Sequence, residues 1–322
     1  MHELKSFLSN LLLKDSKGNA ITDDSIPYVS FSTFIDSFCS AKNKTILYRG
    51  TKSIEEYDAD IFDISTFAKK MFTLGDKSHY FEPNTHALFC IDDHSLELFE
   101  FIFEKLNDKL CGNKFNSQGT IAAINSFNQN NQGFFEFFSN GTNKTSFISL
   151  IDKLNDKEKE HAKDYYLSLM HVVGKSLSPN SYMISTSKEL KRAEEFKKDG
   201  IIIVSWIPSS ERHRKIIKYN DVNNTDLMIK RLGLPYYEVS PYSEQKEMCV
   251  KGGLLPHYII GYSLKDSFIV NPGLLSQISS AYDLNRIIIE GIGIDQSKFK
   301  DVLKTTKYKG GFICIDGYYC DY

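Results

Sequence analysis

The first apolar residues of the chain fall at helical spacing. Leu4, Phe7, Leu8, Leu11 and Leu12 form a stripe that predicts a helix ending near Lys17-Gly18-Asn19, and Phe31, Phe34, Ile35 and Phe38 predict a second. The pattern then tightens into Thr45-Ile46-Leu47-Tyr48-Arg49-Gly50-Thr51, which reads as a strand. Residues 52–180 read as mostly helical: 96–110 is amphipathic, 121–138 is rich in Asn, Gln and Phe with turn signals, and 153–173 passes from charged to apolar. A strand at 181–187 ends on the hydroxyls of Ser185, Thr186 and Ser187. It leads into a helix at 188–198 with Leu190, Ala193 and Phe196 on its inner face, then a strongly β-forming run at 201–207. Residues 245–250 read as another strand. Beyond Lys265 the pattern is strand, helix, strand over 286–292, 296–303 and 311–315, either an appended α/β module or the completion of the main sheet.

Composition narrows the class. The 322 residues, 41% hydrophobic and 25% charged, match a soluble globular protein with a sizeable core, and 23 Phe with 18 Tyr make it unusually aromatic. No apolar run reaches the ~18 residues of a membrane span, and the opening Met-His-Glu-Leu-Lys-Ser lacks an export pattern, so a cytoplasmic protein without a membrane partner is expected. Cys39, Cys90, Cys111, Cys249, Cys314 and Cys320 contain no Cys-x-x-Cys pair and read as reduced thiols. His79, His86 and His94 are the nearest approach to a histidine cluster, and no metal site is expected. A net charge of −2 gives no overall basic field for nucleic acid, leaving local basic segments such as Glu211-Arg212-His213-Arg214-Lys215.

Three pieces carry chemistry. In a strand, Gln245 and Glu247 share one face while Glu244 and Lys246 take the other. A carboxylate there can hold a sugar hydroxyl and offset the charge of an oxocarbenium-like state, and a neighbouring carboxamide can hold the attacking group. The plainer alternative is a solvated strand edge. Arg49, at the end of an apolar strand, requires an anionic partner: a phosphate gripped by its planar fork, or a carboxylate such as Glu55, Glu56 or Asp58. Ser187 can serve as a helix N-cap, which accounts for one hydroxyl of the three.

In that order and with those neighbours, Tyr48-Arg49-Gly50, Ser185-Thr186-Ser187 followed by Ala193 and Phe196, and Gln245-Lys246-Glu247 followed by Gly252-Gly253-Leu254-Leu255-Pro256 resemble the ADP-ribosyltransferase toxins. The branch is that of the C3-like and pierisin-like enzymes, and the likeness covers about 45–52 and 181–262. It implies an α+β fold with a split β-sheet core and flanking helices over 1–264, a helical insertion at about 60–170, and a small α/β extension at 265–322. The long separation between Arg49 and Ser185 requires either that insertion or a different arginine in the role.

The resemblance also implies roles. Arg49 and Gly50 would bind NAD through a phosphate or the nicotinamide ribose. Ser185 would support the glutamate, Thr186 and Ser187 would shape the nicotinamide pocket, and Glu247 would hold the ribose 2′-hydroxyl. NAD is then a consumed co-substrate, and the chain has no Gly-x-Gly-x-x-Gly turn for a redox cofactor. Gln245, two residues before the glutamate, resembles the enzymes that modify asparagine or guanine. Tyr236, Tyr237 and Tyr242 in the preceding turn, with Arg212 and Arg214, become candidates for acceptor recognition; ordinary aromatic packing is the alternative for the tyrosines. The implied activity is mono-ADP-ribosylation of an intracellular macromolecule. The expected acceptor is a base in RNA or DNA, and the setting a toxin-antitoxin or phage-defence system with an antitoxin or inhibitor partner. A protein Asn or Gln acceptor, NAD glycohydrolysis and a non-enzymatic interaction protein are the alternatives.

Overall fold

The computed structural model describes residues 2–51, 60–76, 94–111, 125–173, 183–210, 216–218, 222–238, 247–251, 254–276, 280–293 and 295–305. Helix α1 (His2–Leu8) is shorter than its apolar stripe predicts. The Leu12 amide donates to the Asp266 carbonyl at 2.8 Å, and Leu12–Lys14 becomes strand β1, because a sheet edge satisfies backbone groups that a fraying helix end leaves open. Helix α2 (Ile26–Ser40) starts where the Ser25 hydroxyl accepts the Tyr28 amide, with Pro27 in its first turn, and buries Phe31, Phe34, Ile35 and Phe38. Strand β2 (Lys44–Thr51) and helix α3 (Ile64–Leu74) follow.

The long stretch read as helical contains α4 (Leu96–Cys111), α5 (Gln132–Ser139), α6 (Lys144–Asp152) and α7 (Asp156–Val173). Next come β3 (Met183–Ser187), α8 (Leu190–Lys197), β4 (Ile201–Pro208), β5 (Ile216–Lys218) and α9 (Val222–Arg231). Strands β6 (Glu247–Lys251), β7 (Ile259–Leu264) and β8 (Ser267–Val270) lead to α10 (Ala281–Glu290) and α11 (Gln296–Thr305). The strand expected at 286–292 is therefore a helix. Its β-branched Ile287-Ile288-Ile289 is overridden by caps at both ends: the Ser280 hydroxyl accepts the Asp283 amide, and Gly291, at φ 90°, ends the helix with its amide on the Ile287 carbonyl at 2.9 Å. The strand expected at 311–315 lies outside the described residues.

The described residues form two compact units. The first draws on 1–78, 184–216 and 250–309. It carries a mixed sheet in the order β1-β8-β7-β4-β2-β3, parallel between β1 and β8 and antiparallel between β8 and β7, β7 and β4, β4 and β2, and β2 and β3. Strand β4 is buried along its whole length, which is why it reads as a continuous apolar run instead of an alternating one. Trp206 on β4 is fully buried, edge-on to Phe38 and Tyr258, and its indole N–H donates to the Ile288 carbonyl at 2.9 Å. The boundary expected after residue 264 falls between β7 and β8, where Leu264 stands opposite Ser267.

The second unit draws on 79–183 and 217–249 and is mainly helical. Its core is a cluster of rings: Phe134 and Phe138 have centroids 4.7 Å apart, Phe138 and Phe147 5.4 Å, and Phe147 and Tyr166 5.3 Å. Much of the aromatic surplus of the chain is used here. Among the described residues no helix is long and apolar enough to cross a membrane, and no group of three or more His, Cys, Asp or Glu could hold a metal ion.

Candidate functional site

In the first unit, β2 brings Arg49 beside β3. Tyr48 is in register with Ser187, and the Arg49 Nη1 donates to the Ser185 carbonyl at 3.1 Å. The other edge of the guanidinium is taken by a carboxylate: Arg49 Nε lies 2.7 Å from Asp76 Oδ2, and the Asp76 side chain is fully buried while that of Arg49 is 13% exposed. The partners expected from sequence, Glu55, Glu56 and Asp58, lie outside the described residues, and Asp76 is not among them. It is held in place by its backbone, which exchanges hydrogen bonds with Leu254 in both directions, at 2.8 and 3.2 Å. Gly75 makes this junction fit. Its φ is 85°, and a Cβ there would stand 2.2 Å from the Leu254 carbonyl oxygen. The one sequence signal was a Gly-Asp pair closing an amphipathic helix, and it carries no information about which cation the aspartate meets.

Gly50, expected to bind NAD, has a packing reason to be glycine. A Cβ on it would stand 1.8 Å from the Ala193 carbonyl oxygen, so the bare backbone of β2 is what lets helix α8 lie against it. Of the hydroxyl run, Thr186 and Ser187 are buried and Ser185 is half-buried. The Ser187 hydroxyl accepts the Glu189 amide at 3.1 Å, and the Leu190 amide donates to a Glu3 carboxylate oxygen at 3.2 Å. The start of α8 is thus met by a hydroxyl and by an anion at the positive end of the helix. The N-cap residue is Glu189, without a side-chain cap bond, so Ser187 closes the turn before the helix and is not the N-cap that sequence allowed; Phe196, on the expected inner face, is 53% exposed.

In the second unit, Glu247 opens β6 at the edge of burial, with Cys249 one strand repeat further on. Burial pushes the Cys249 thiol well up, and the Glu247 charge adds to the shift. Tyr237 is buried in the aromatic core. It stacks on Tyr165 at 4.5 Å, meets Phe134 edge-on, and its backbone N–H donates to the Tyr165 hydroxyl at 2.8 Å. Packing, the alternative held for the tyrosines, is what this one does. Its neighbour Tyr236 is half-buried and lines an open cleft of about 510 Å³ together with Asn131, Phe137, Leu150 and Glu238. Gln245, Tyr242, Arg212 and Arg214 lie outside the described residues.

Chemically, the first unit offers a guanidinium held between the Asp76 carboxylate and the backbone carbonyl of Ser185. The second offers a nearly buried carboxylate and a cleft. Comparison with protein-family models, with curated proteins and with solved structures gives no match.

Proposed function

We propose that the chain is a mono-ADP-ribosyltransferase that cleaves NAD and transfers ADP-ribose to a macromolecule, with a nucleic-acid base as acceptor. The observation that carries this reading is the hydrogen bond from Arg49 to the Ser185 carbonyl, which joins the Tyr-Arg-Gly strand to the Ser-Thr-Ser strand. The split-sheet fold of the transferase toxins belongs to the same proposal.

In this reading Arg49 grips a phosphate or the nicotinamide ribose of NAD, in a charge-assisted contact of roughly 1.5–3 kcal/mol. The bond between the ribose anomeric carbon and nicotinamide breaks, and nicotinamide leaves with the bonding pair. The Glu247 carboxylate holds the 2′-hydroxyl and offsets the positive charge left on the ribose. The acceptor nitrogen then forms a bond to that carbon and releases a proton. The products are nicotinamide and the ADP-ribosylated acceptor, and with an acceptor inside the cell the chain acts as the toxin of a toxin-antitoxin or phage-defence system.

The test is incubation of the purified protein with labelled NAD and a whole-cell lysate, beside Glu247→Gln, with products divided into RNA, DNA and protein. Label in a nucleic-acid fraction that disappears in Glu247→Gln is the expected result. Label confined to protein makes a side-chain amide the acceptor, and nicotinamide released without label makes it water. A second reading is favoured by Asp76: the buried pair at 2.7 Å suits an architectural arginine in a non-enzymatic interaction protein. On that reading NAD is left intact, and finding it intact sinks the transferase.

A further inference from the structure

The cleft in the second unit has a sorted chemistry. Its volume of about 510 Å³ is that of a small-molecule site. The floor is apolar, made by Phe134, Phe137 and Leu150, and Tyr236 stands in the wall. The polar rim is defined by the hydrogen bonds its side chains already make. The Asn130 amide nitrogen donates to the Ser126 carbonyl at 2.8 Å, and that of Gln132 donates to the Glu136 carboxylate at 2.6 Å, so what each has left to offer is its carbonyl oxygen, an acceptor. Asn131 ties the two walls together: its oxygen accepts the Glu238 amide at 2.7 Å and its nitrogen donates to the Phe127 carbonyl at 3.0 Å. Glu238 adds a carboxylate, which when ionised only accepts.

A rim of acceptors above an apolar floor selects a flat group that brings N–H donors. A guanidinium and a nucleobase both meet that description. The Lys230 ammonium, beside the cleft and 5.2 Å from the centre of the Tyr236 ring, favours the nucleobase, because it suits the phosphate that a nucleotide carries. We propose that this cleft binds an unpaired nucleobase carrying an exocyclic amine. The amine donates to Glu238 and the adjacent amide oxygens, Tyr236 and the floor cover the base, and Lys230 meets the 5′-phosphate.

CMP and UMP test this directly, since at ring position 4 one presents an amine donor and the other a carbonyl acceptor. Equilibrium dialysis of the full chain against each is expected to give CMP about ten-fold tighter binding. Glu238→Gln, a change at an exposed side chain, removes that preference, and Tyr236→Ala weakens both nucleotides. Equal affinity for the two, no binding of either, or preferential binding of an arginine-containing peptide overturns the proposal. The inference stands apart from the transferase reaction. A chain that prefers CMP yet leaves NAD intact keeps this site and loses the transferase, and a chain that consumes NAD without preferring CMP does the reverse.

Discussion

Arg49 in the first unit is held by polar contacts that include a buried carboxylate and a carbonyl, whereas the contacts of Tyr237 in the second include a stacked ring, edge-on rings and a hydroxyl. The two solutions fail differently. A buried charge has few substitutes for its partner, because a neighbour that is merely close does not restore the solvation it has lost. A ring in an aromatic cluster shares its contacts, so deletion of one polar link is absorbed by the packing around it. The first unit should therefore be brittle at single positions and the second tolerant.

The largest expected effect breaks the brittle side. Asp76→Ala leaves the Arg49 guanidinium without its buried carboxylate, and a loss of about 3–5 kcal/mol in urea-unfolding stability is expected. Combining it with Arg49→Met removes the stranded charge, and most of the loss returns. A double variant no more stable than Asp76→Ala would show that packing at Asp76, and not charge, is what the first unit needs.

Tyr165→Phe tests the tolerant side. It deletes the hydroxyl that accepts the Tyr237 amide at 2.8 Å while keeping the ring stacked at 4.5 Å. Loss of a buried acceptor costs about 1–3 kcal/mol, and the stacked ring holds the result to the lower half of that range. A cost equal to that of Asp76→Ala erases the distinction between the units.

Alkaline pH separates them by a smaller amount. Burial raises the thiols of Cys39 in the first unit and Cys249 in the second above the ordinary 9.0, but the charges of Lys5 and Lys44 pull Cys39 back, while Glu247 pushes Cys249 further. A raised thiol stays protonated in the folded chain after it has ionised in the unfolded one. Stability from it is therefore complete below about pH 9 and is lost as pH rises toward the folded value, at about 1.4 kcal/mol per pH unit. Tyr166 in the second unit and Tyr48 and Tyr262 in the first, all raised by burial from 10.0, add a second decline one pH unit later. Urea midpoints between pH 7 and 11 should fall along this curve, with the early part reduced to the Cys39 share in Cys249→Ala. An unchanged early slope in that variant assigns the decline to other groups.

Where local propensity and tertiary setting agree, sequence was enough. The β-forming run of β4, the strand of β2 and the long helix α7 stand close to where their patterns placed them. The misses share a cause. Helix α10 is β-branched where it is helical, and its caps lie outside the Ile-Ile-Ile run that drew attention. The Leu11 and Leu12 end of the first stripe was claimed by a sheet whose edge lies far along the chain, at β8. Asp76 gives no local sign that it meets Arg49, because that pairing is set by the bridge to Leu254. Tyr236 and Tyr237 are identical letters in sequence, and only packing decides that one faces a cleft and the other the core.

The smallest effect compares one helix cap from each unit. The Ser280 hydroxyl accepts the Asp283 amide and donates to its carboxylate at 2.9 Å; Asn155 and Glu158 cap α7 reciprocally, at 3.1 and 3.0 Å. Replacing either cap by alanine costs about 1 kcal/mol on average. The first unit has less to fall back on, since α10 is short and its Ile-Ile-Ile run is a poor helix former, whereas α7 is long and anchored by buried Tyr165 and Tyr166. The readout is built in: Trp206, the sole tryptophan, donates to the Ile288 carbonyl of α10. Ser280→Ala should loosen that acceptor and shift Trp206 emission to the red before global unfolding, while Asn155→Ala lowers the helical circular dichroism transition and leaves the native emission in place. Identical emission in the two variants means that α10 holds its carbonyl without the cap. The Ile-Ile-Ile turn is then fixed by core packing of Ile287 and Ile288, and the first unit is less brittle than its single contacts imply.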